Sequence, residues 1–586
     1  MSDIRTVTLE LVREGPPDNR LLSPLTPYLA LCGQFETATV HVPYEHRVFL
    51  RRLDKLRYRQ GALDDPVARQ AILDEVAADL ARILGSIPGL QSSLATDGAE
   101  TEMLTHLNLV ISPAELALLP FELSRVPTGF SGGEGNWLSL QTRAPIVLTR
   151  QIRSAVGSST RWPAKPKILF VASASGGSIP FDAHLQALLK AIQPWVEPYD
   201  ENKEGDFEAK VGKILKLLPD ATMAQIQEAC ARETFTHIHV LAHGMEDRRR
   251  EGNPFGLALA ASRDASSTDV VSGARFATAI RPLKSKTAHP PAIVTVASCD
   301  SDNKESMVIY NVASFAHELH QAGVPVVVAS QFPLSKAGSV RVAELLYERL
   351  LWGDDPRKVF HDLRRQLYSL HAQDAHDWAS LVVYANLPID LASQLEDTRY
   401  EQAKAAINAA LNALDREIAG FDNTPDTGGE KAAALNRTME TLLERADAAA
   451  AKMPTEGAYE TEGLGMKAST EKRKAQMRFQ LALKLQSAQH LDRARSELGE
   501  SLEVLVAARS LYWQAARQNM IQADRPLKRK RSLHWVMVQQ LSLEAVLGES
   551  LTDAHRDCWS AARTSALADL EGGDRSLRAW AHGSLL

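Results

Sequence analysis

A histidine and a cysteine, each at the end of a short apolar run, are the residues of this chain whose types and spacing could do chemistry. The runs are Phe235-Thr-His-Ile-His-Val-Leu-Ala-His243-Gly244 and Ala292-Ile-Val-Thr-Val-Ala-Ser-Cys299-Asp300, about 56 positions apart. Each has the length of a buried strand and stops at a polar or glycine-containing turn. Two parallel strands ending on one sheet edge set their last residues side by side, where open α/β sheets build sites. A thiol is mostly protonated near neutral pH, and only its thiolate attacks well. A neighbouring imidazole stabilises that thiolate and then protonates the leaving amine. His243 is thus cast as acid/base and Cys299 as nucleophile of a cysteine peptidase. The backbone N–H groups of Gly244 and of Cys299 itself are the candidate oxyanion donors.

Joint placement carries this reading. A lone histidine at a strand end is commonly structural, and a lone cysteine in an apolar strand is commonly core. His237 and His239 alternate with Ile238 and Val240, so packing, or orientation of His243, is their expected role. A metal held by His239 and His243 lacks an evident third ligand, so no metal is expected. The loop Ser175-Gly176-Gly177-Ser178 follows a strand, yet it has neither the Gly-x-Gly-x-x-Gly spacing nor a Gly-Lys-Ser/Thr ending, which sets nucleotide binding aside;. No cofactor is expected.

Strands and helices must bring these residues together. From Lys165 the pattern alternates. Lys167–Ala172 reads as a buried strand, then come the Ser/Gly loop and helices at Ala183–Ile192, Phe207–Leu218 and Ala221–Thr234 before the histidine strand. After the cysteine strand come a helix at Val308–Ala322, a strand at Val324–Ser330, helices at Ser335–Leu351 and Pro356–Ala372, and a last strand at Trp378–Tyr384. That order implies a parallel sheet covered on both faces. Residues 1–160 mix strands (Ile4–Val12, Thr37–Val42, Leu104–Ile111, Ala144–Arg150) with a helix at Asp65–Leu84 opened by Pro66. After Leu395 the strand signal disappears, and Ala- and Leu-rich helices at Glu396–Phe421 and Lys431–Met453 flank the linker Asn423–Gly429. The expected division is 1–160 (α+β), 161–395 (catalytic α/β) and 396–586 (helical). Tyr512-Trp-Gln-Ala-Ala-Arg517 recurs as Cys558-Trp-Ser-Ala-Ala-Arg563, compatible with stacked helix pairs;. The end at Trp580–Leu586 shows no clear helix stop, and truncation of the chain is one expectation.

Bulk properties narrow the class. At 586 residues, 45% hydrophobic and 24% charged, the chain suits a multidomain globular protein;. A formal charge of −6 argues against a dedicated nucleic-acid binder;. Met1–Arg5 lacks a signal-peptide core, and no apolar run is long enough to span a bilayer. The four cysteines, Cys32, Cys230, Cys299 and Cys558, form no CxxC pair, so a disulfide framework or zinc site is not expected. A cytoplasmic location follows as an expectation, with no membrane partner. The run Lys528–Arg531 reads as a solvated linker, with an RNA or acidic-protein contact as the alternative.

At this point the residues resemble a known group. His239–Gly244 and Ala297–Asp300 are similar to the motifs of the CHAT domain, a caspase-like family of bacterial cysteine peptidases related to separases and caspases. Leu118-Leu-Pro-Phe-Glu-Leu123 is similar to that family's Leu-Pro-Trp-Glu-Leu element, with Phe121 replacing tryptophan. Ala329–Pro333 and Asp377–Ser380 through Tyr384 resemble its downstream strand motifs, so the likeness runs over about residues 100 to 390. The resemblance implies an α/β, caspase–hemoglobinase-like sheet flanked by helices and dyad roles for His243 and Cys299. It also implies cleavage of a partner protein in bacterial defence or cell-death signalling. A catalytically silent scaffold for protein–protein interaction is the alternative, and a thiol acyltransferase or small-molecule hydrolase is a third reading.

Substrate preference rests on Asp300 and Asp302, just after the nucleophile. Lining an S1 pocket they would select Arg or Lys, and otherwise they form a solvated acidic loop. The short stretch from Cys299 to Val308 leaves little room for an excisable linker. Activation by rearrangement, by a partner protein or by a ligand is therefore expected. Met245–Asn253 reads as an exposed charged turn, with a lid or autocleavage site as the alternative.

Overall fold

The computed structural model describes residues 4–14, 21–56, 65–95, 103–153, 162–163, 165–200, 202–246, 255–261, 267–281, 290–297, 312–332, 334–370, 376–421, 430–521, 534–548, 550, 552–572 and 575–585. The chain divides into two compact units, Met1–Ile192 with Val211–Ala392, and Gln193–Lys210 with Ser393–Leu586.

Fourteen strands are formed by the described residues of the first unit: β1 Arg5–Val12, β2 Pro27–Cys32, β3 Ala38–His41, β4 Thr105–Ile111, β5 Ile146–Gln151, β6 Ile168–Ser173, β7 Leu215–Leu218, β8 His237–Ala242, β9 Gly244–Glu246, β10 Phe255–Ala260, β11 Thr268–Val271, β12 Ile293–Ala297, β13 Val326–Ser330 and β14 Leu381–Ala385. Eleven make one sheet in the order β3-β2-β1-β4-β5-β14-β13-β12-β8-β6-β7, and β11-β10-β9 make a small antiparallel one. Side-chain pattern follows position. β6, β8 and β12 are buried along their whole length, as strands covered on both faces must be, whereas β2 alternates exposed and buried residues because one of its faces meets water;.

The sheet is mostly parallel, not wholly so. β2 runs against β1 and β3, and β14 runs against β13 while lying parallel to β5. The sheet therefore has two halves of opposite direction that meet at β13–β14. Three further departures from the sequence reading have local causes. The helix expected at Phe207–Leu218 is only Asp206–Lys210. Gly212 interrupts it, and Leu215–Leu218 instead takes the free edge of β6 as β7. Trp378 starts no strand. Asp377–Ser380 is a helical turn because the Asp377 carboxylate accepts from Ser335 N at 2.9 Å and Ser335 Oγ at 2.6 Å, and β14 begins only at Leu381. Finally, β10, β11 and the helix Gly273–Ala279 have no counterpart among the expected elements, nor does β2, whose residues alternate in burial while its sequence is apolar throughout.

The helices start where their sequences allow. Asp65 caps Pro66–Gly85 by accepting from Ala68 N at 2.9 Å, and Thr222 with Gln225 forms a capping box on Met223–Arg232;. Helices are the only regular elements among the second unit's described residues, with long ones at Leu391–Gly420, Glu430–Ala451, Glu460–Ser487 and Leu491–Ile521. Its repeated sextets lie on helical faces that share one core. Tyr512, Ala515, Ala516, Cys558 and Ala562 are buried in the same cluster. The segments 423–429 and 528–531 lie outside the described residues.

Candidate active site

β8 and β12 are hydrogen-bonded neighbours running in parallel, with Ile293 opposite His237 and Ala297 opposite Leu241. They therefore end on one edge of the sheet. His243 follows β8 by one residue and is buried, only 3% exposed. Cys299, Asp300 and Asp302 lie outside the described residues, as does most of the 245–253 turn.

His243 is held from three directions. Its carbonyl accepts from Ala258 N at 2.8 Å, tying it to β10. Its ring Nε2–H donates to the Ser178 carbonyl at 3.3 Å, and Nδ1 is the ring nitrogen outside that bond. The loop after β6 packs against the ring. A Cβ on Gly177 (φ +149°) would stand 3.0 Å from His243 Nε2, and one on Gly176 (φ +98°) would stand 3.1 Å from Met245 Cε. Only glycine fits both the backbone angle and the space at these positions. The Ser/Gly loop thus backs an imidazole. By sequence this loop is considered only as a nucleotide site, which is set aside; the residue it supports is revealed by the fold.

Gly244 opens β9 opposite Leu257. Because His243 and Ala258 form the hydrogen-bonded pair, the next pair is a non-bonded one, and the Gly244 N–H points away from β10;. It stays outside that ladder as a donor. Lys336, first residue of the helix Lys336–Leu350, places Nζ 3.3 Å from Ser178 Oγ.

Beneath this edge lies a buried histidine relay. Ser339 Oγ donates to the Lys336 carbonyl at 2.8 Å, and so accepts from His184 Nε2–H at 3.2 Å. His184 Nδ1 in turn accepts from His239 Nε2–H at 2.9 Å. His239 is thereby a packing residue of β8, and His237 bonds the neighbouring Thr236 hydroxyl at 2.8 Å. Burial pushes His184 and His237 down to about 4 and holds His239 well below its ordinary value, the last helped by His184. The unfolded value is near 6.5. Between about pH 6.5 and 4 the unfolded chain therefore binds protons that the folded chain refuses, and stability falls as pH falls. The His184 and His237 rings each withdraw up to about 3 kcal/mol of stability across this window;. Thermal melts followed by circular dichroism should show the unfolding temperature dropping steeply from pH 6.5 downward. A flat profile from pH 7 to about pH 5 would contradict this.

A second buried network sits at β5, four strands along from β8. Glu122, inside Leu118–Leu123, is fully buried with Arg150 of β5, whose Nε donates to Glu122 Oε1 at 2.9 Å. The same guanidinium donates to the Ala117 and Leu119 carbonyls at 2.7 and 2.8 Å and to Gln331 Oε1 at 3.0 Å. Gln331 Nε2 returns to the Leu118 carbonyl. Phe121, the residue standing where the resemblance has tryptophan, lies 5.9 Å from Arg150 Cζ. Nothing in the sequence around Glu122 signals this partner, because Arg150 lies 28 residues away.

Among the described residues, no three His, Cys, Asp or Glu side chains are grouped to hold a metal ion, and no helix is long and apolar enough to cross a membrane. Compared with known families, residues 74–386, more than half of the chain, match the model of the CHAT domain. No curated protein matches the chain.

Proposed function

This chain belongs to the CHAT domain family of caspase-like peptidases, and from that premise we propose that it is a cysteine endopeptidase that cuts a partner protein. The observation that supports this most is the parallel register of β8 and β12. Leu241 faces Ala297, and His243 and Cys299 each follow two residues later. Adjacent strands lie about 4.8 Å apart, so the chain emerging from β12 begins within reach of the imidazole.

In the proposed reaction His243 Nδ1 takes the proton of the Cys299 thiol, and the sulfur bonds to the scissile carbonyl carbon. The carbonyl oxygen gathers negative charge before the Gly244 N–H, a donor whose kind contributes about 3 kcal/mol to lowering a barrier. The C–N bond then breaks, and the imidazolium gives its proton to the leaving amine. Water, deprotonated by the same imidazole, hydrolyses the thioester to a carboxylic acid and returns the thiol. The Ser178 carbonyl holds the ring in the tautomer that this sequence of steps needs.

Two experiments test the reading. Incubation with candidate partner proteins, followed by mass spectrometry of new termini, should give cuts with the wild type and none with Cys299→Ala. Cuts that persist in Cys299→Ala overturn the assignment, and no cuts with any activated preparation favour a scaffold. Gly177→Ala is expected to lower cleavage on the order of 10²-fold, because a misplacement of about 1 Å in a catalytic group costs that much. Cleavage within about twofold of wild type, beside the 10² expected, would mean that this loop does not position the ring.

A further inference from the structure

The second unit carries an apolar surface that stays open among the described residues. Helices Glu460–Ser487 and Leu491–Ile521 form an antiparallel hairpin through the turn Ala488–His490. Their contact faces are marked by Arg478 Nη1, 2.7 Å from Glu497 Oε2, and by Ser501 Oγ, which donates to the Ala475 carbonyl at 2.7 Å. Leu491, Leu498, Leu502 and Val506 fall on a different stripe of the second helix, spaced seven, four and four residues;. Phe479 and Leu483, four apart, form a stripe on the first;. Both stripes are turned in the same rotational sense from the contact face. Because the helices run in opposite directions, both open on the same side of the hairpin.

These six side chains keep between 40% (Val506) and 56% (Leu502) of their surface in water. Together they expose on the order of 500 Å² of apolar area, at the upper end of what a lone monomer carries. Two copies pairing through this face would bury about 1,000 Å² before any rim is counted, which reaches the range of a specific interface.

Two features select a second copy as the occupant. Gly499 sits in the helix interior, and a Cβ there would meet nothing within 4 Å. Glycine costs a helix about 1 kcal/mol relative to alanine, and the described packing of this chain does not require it. Close approach of another backbone does. Arg495 and Glu503, of opposite charge, lie four residues before and after Gly499. Pairing this helix antiparallel with its own copy about Gly499 sets Arg495 of each opposite Glu503 of the other, two reciprocal pairs from one sequence. That self-complementarity is what a two-fold interface demands.

We propose that this face is a homodimer interface, the hairpins of two copies packing into a four-helix arrangement about a two-fold axis at Gly499. Sedimentation velocity on the full chain over a concentration series should show a reversible monomer–dimer equilibrium. Leu498→Glu with Leu502→Glu should leave a monomer of unchanged far-ultraviolet helicity. Arg495→Glu or Glu503→Arg alone should each weaken association about tenfold, and the two together should restore most of it. Gly499→Ala should raise the melting temperature of the monomer while weakening the dimer. A wild type that is monomeric at every concentration overturns the proposal. So does a dimer indifferent to the Leu498/Leu502 change, or a double charge reversal no better than either single one.

Discussion

His243→Ala should abolish cysteine-dependent cleavage, with a loss on the order of 10⁴-fold or more, and Cys299→Ala should match it. The two losses should not add, because removing either member disables the same proton-coupled attack. Alkylation separates a catalytic thiol from an inert one. A peptide electrophile should modify Cys299 in the wild type and slow sharply in His243→Ala, since the unassisted thiol is mostly protonated. Cys32, Cys230 and Cys558 are buried, and burial raises all three thiols, Cys230 to about 12 and Cys558 to about 11. They form an internal control that should stay unmodified. His239→Gln serves as a second control. Its ring lies in the buried relay with His184, so stability should fall while the thiol of the folded fraction still reacts. Equal alkylation of Cys299 with and without the His243 imidazole would sink the dyad.

The second large effect concerns the Glu122–Arg150 pair. Glu122→Ala leaves a fully buried guanidinium without its counter-charge, and Arg150→Met leaves a buried carboxylate together with the carbonyls of Ala117 and Leu119 and the Gln331 side chain. Breaking a buried pair from one side costs about 3–5 kcal/mol. Each single variant should shift the urea midpoint by that amount or fail to accumulate as folded protein. Glu122→Leu combined with Arg150→Met should cost less than the two singles summed, because neither member is left facing the space of the other, although the buried Arg364 guanidinium, which also interacts with Glu122, retains part of the cost;. The cost should also reach the candidate site, since Gln331 directly follows β13, the strand next to β12. Single variants within about 1 kcal/mol of wild type, against the 3–5 expected, would show that the pair is solvated.

Much of this architecture is legible in the sequence where a strand is buried on both faces. The runs at Ile168–Ser173, His237–Ala242 and Ile293–Ala297 are uninterrupted by charge because both sides of each strand are covered;. The elements that escaped are those whose conformation comes from a neighbour. Leu215–Leu218 reads as helix from its leucines and becomes a strand because β6 offers an edge. Trp378 reads as strand from its apolar company and lies in a turn because Asp377 is drawn to Ser335. The same limit applies at the site. The histidine is visible from its place at the exit of a strand. Ser178 and Gly177, which hold its ring, lie over sixty residues upstream in a loop whose composition says only that glycine is tolerated.

The placement of β14 bears on when this protein becomes complete as it is made. Within the sheet, β14 is the link between β5 on one side and β13 on the other. Its residues, Leu381–Ala385, are synthesised more than two hundred positions after β5 ends at Gln151. Until the ribosome has released that final strand, the amino-terminal strands and those carrying the histidine and leading to the cysteine share no hydrogen-bonded seam. Long-range pairing of this kind closes late and slowly. A nascent chain therefore lacks a continuous sheet for most of its translation, its amino-terminal strands waiting for β14 before they join the strands of the candidate site.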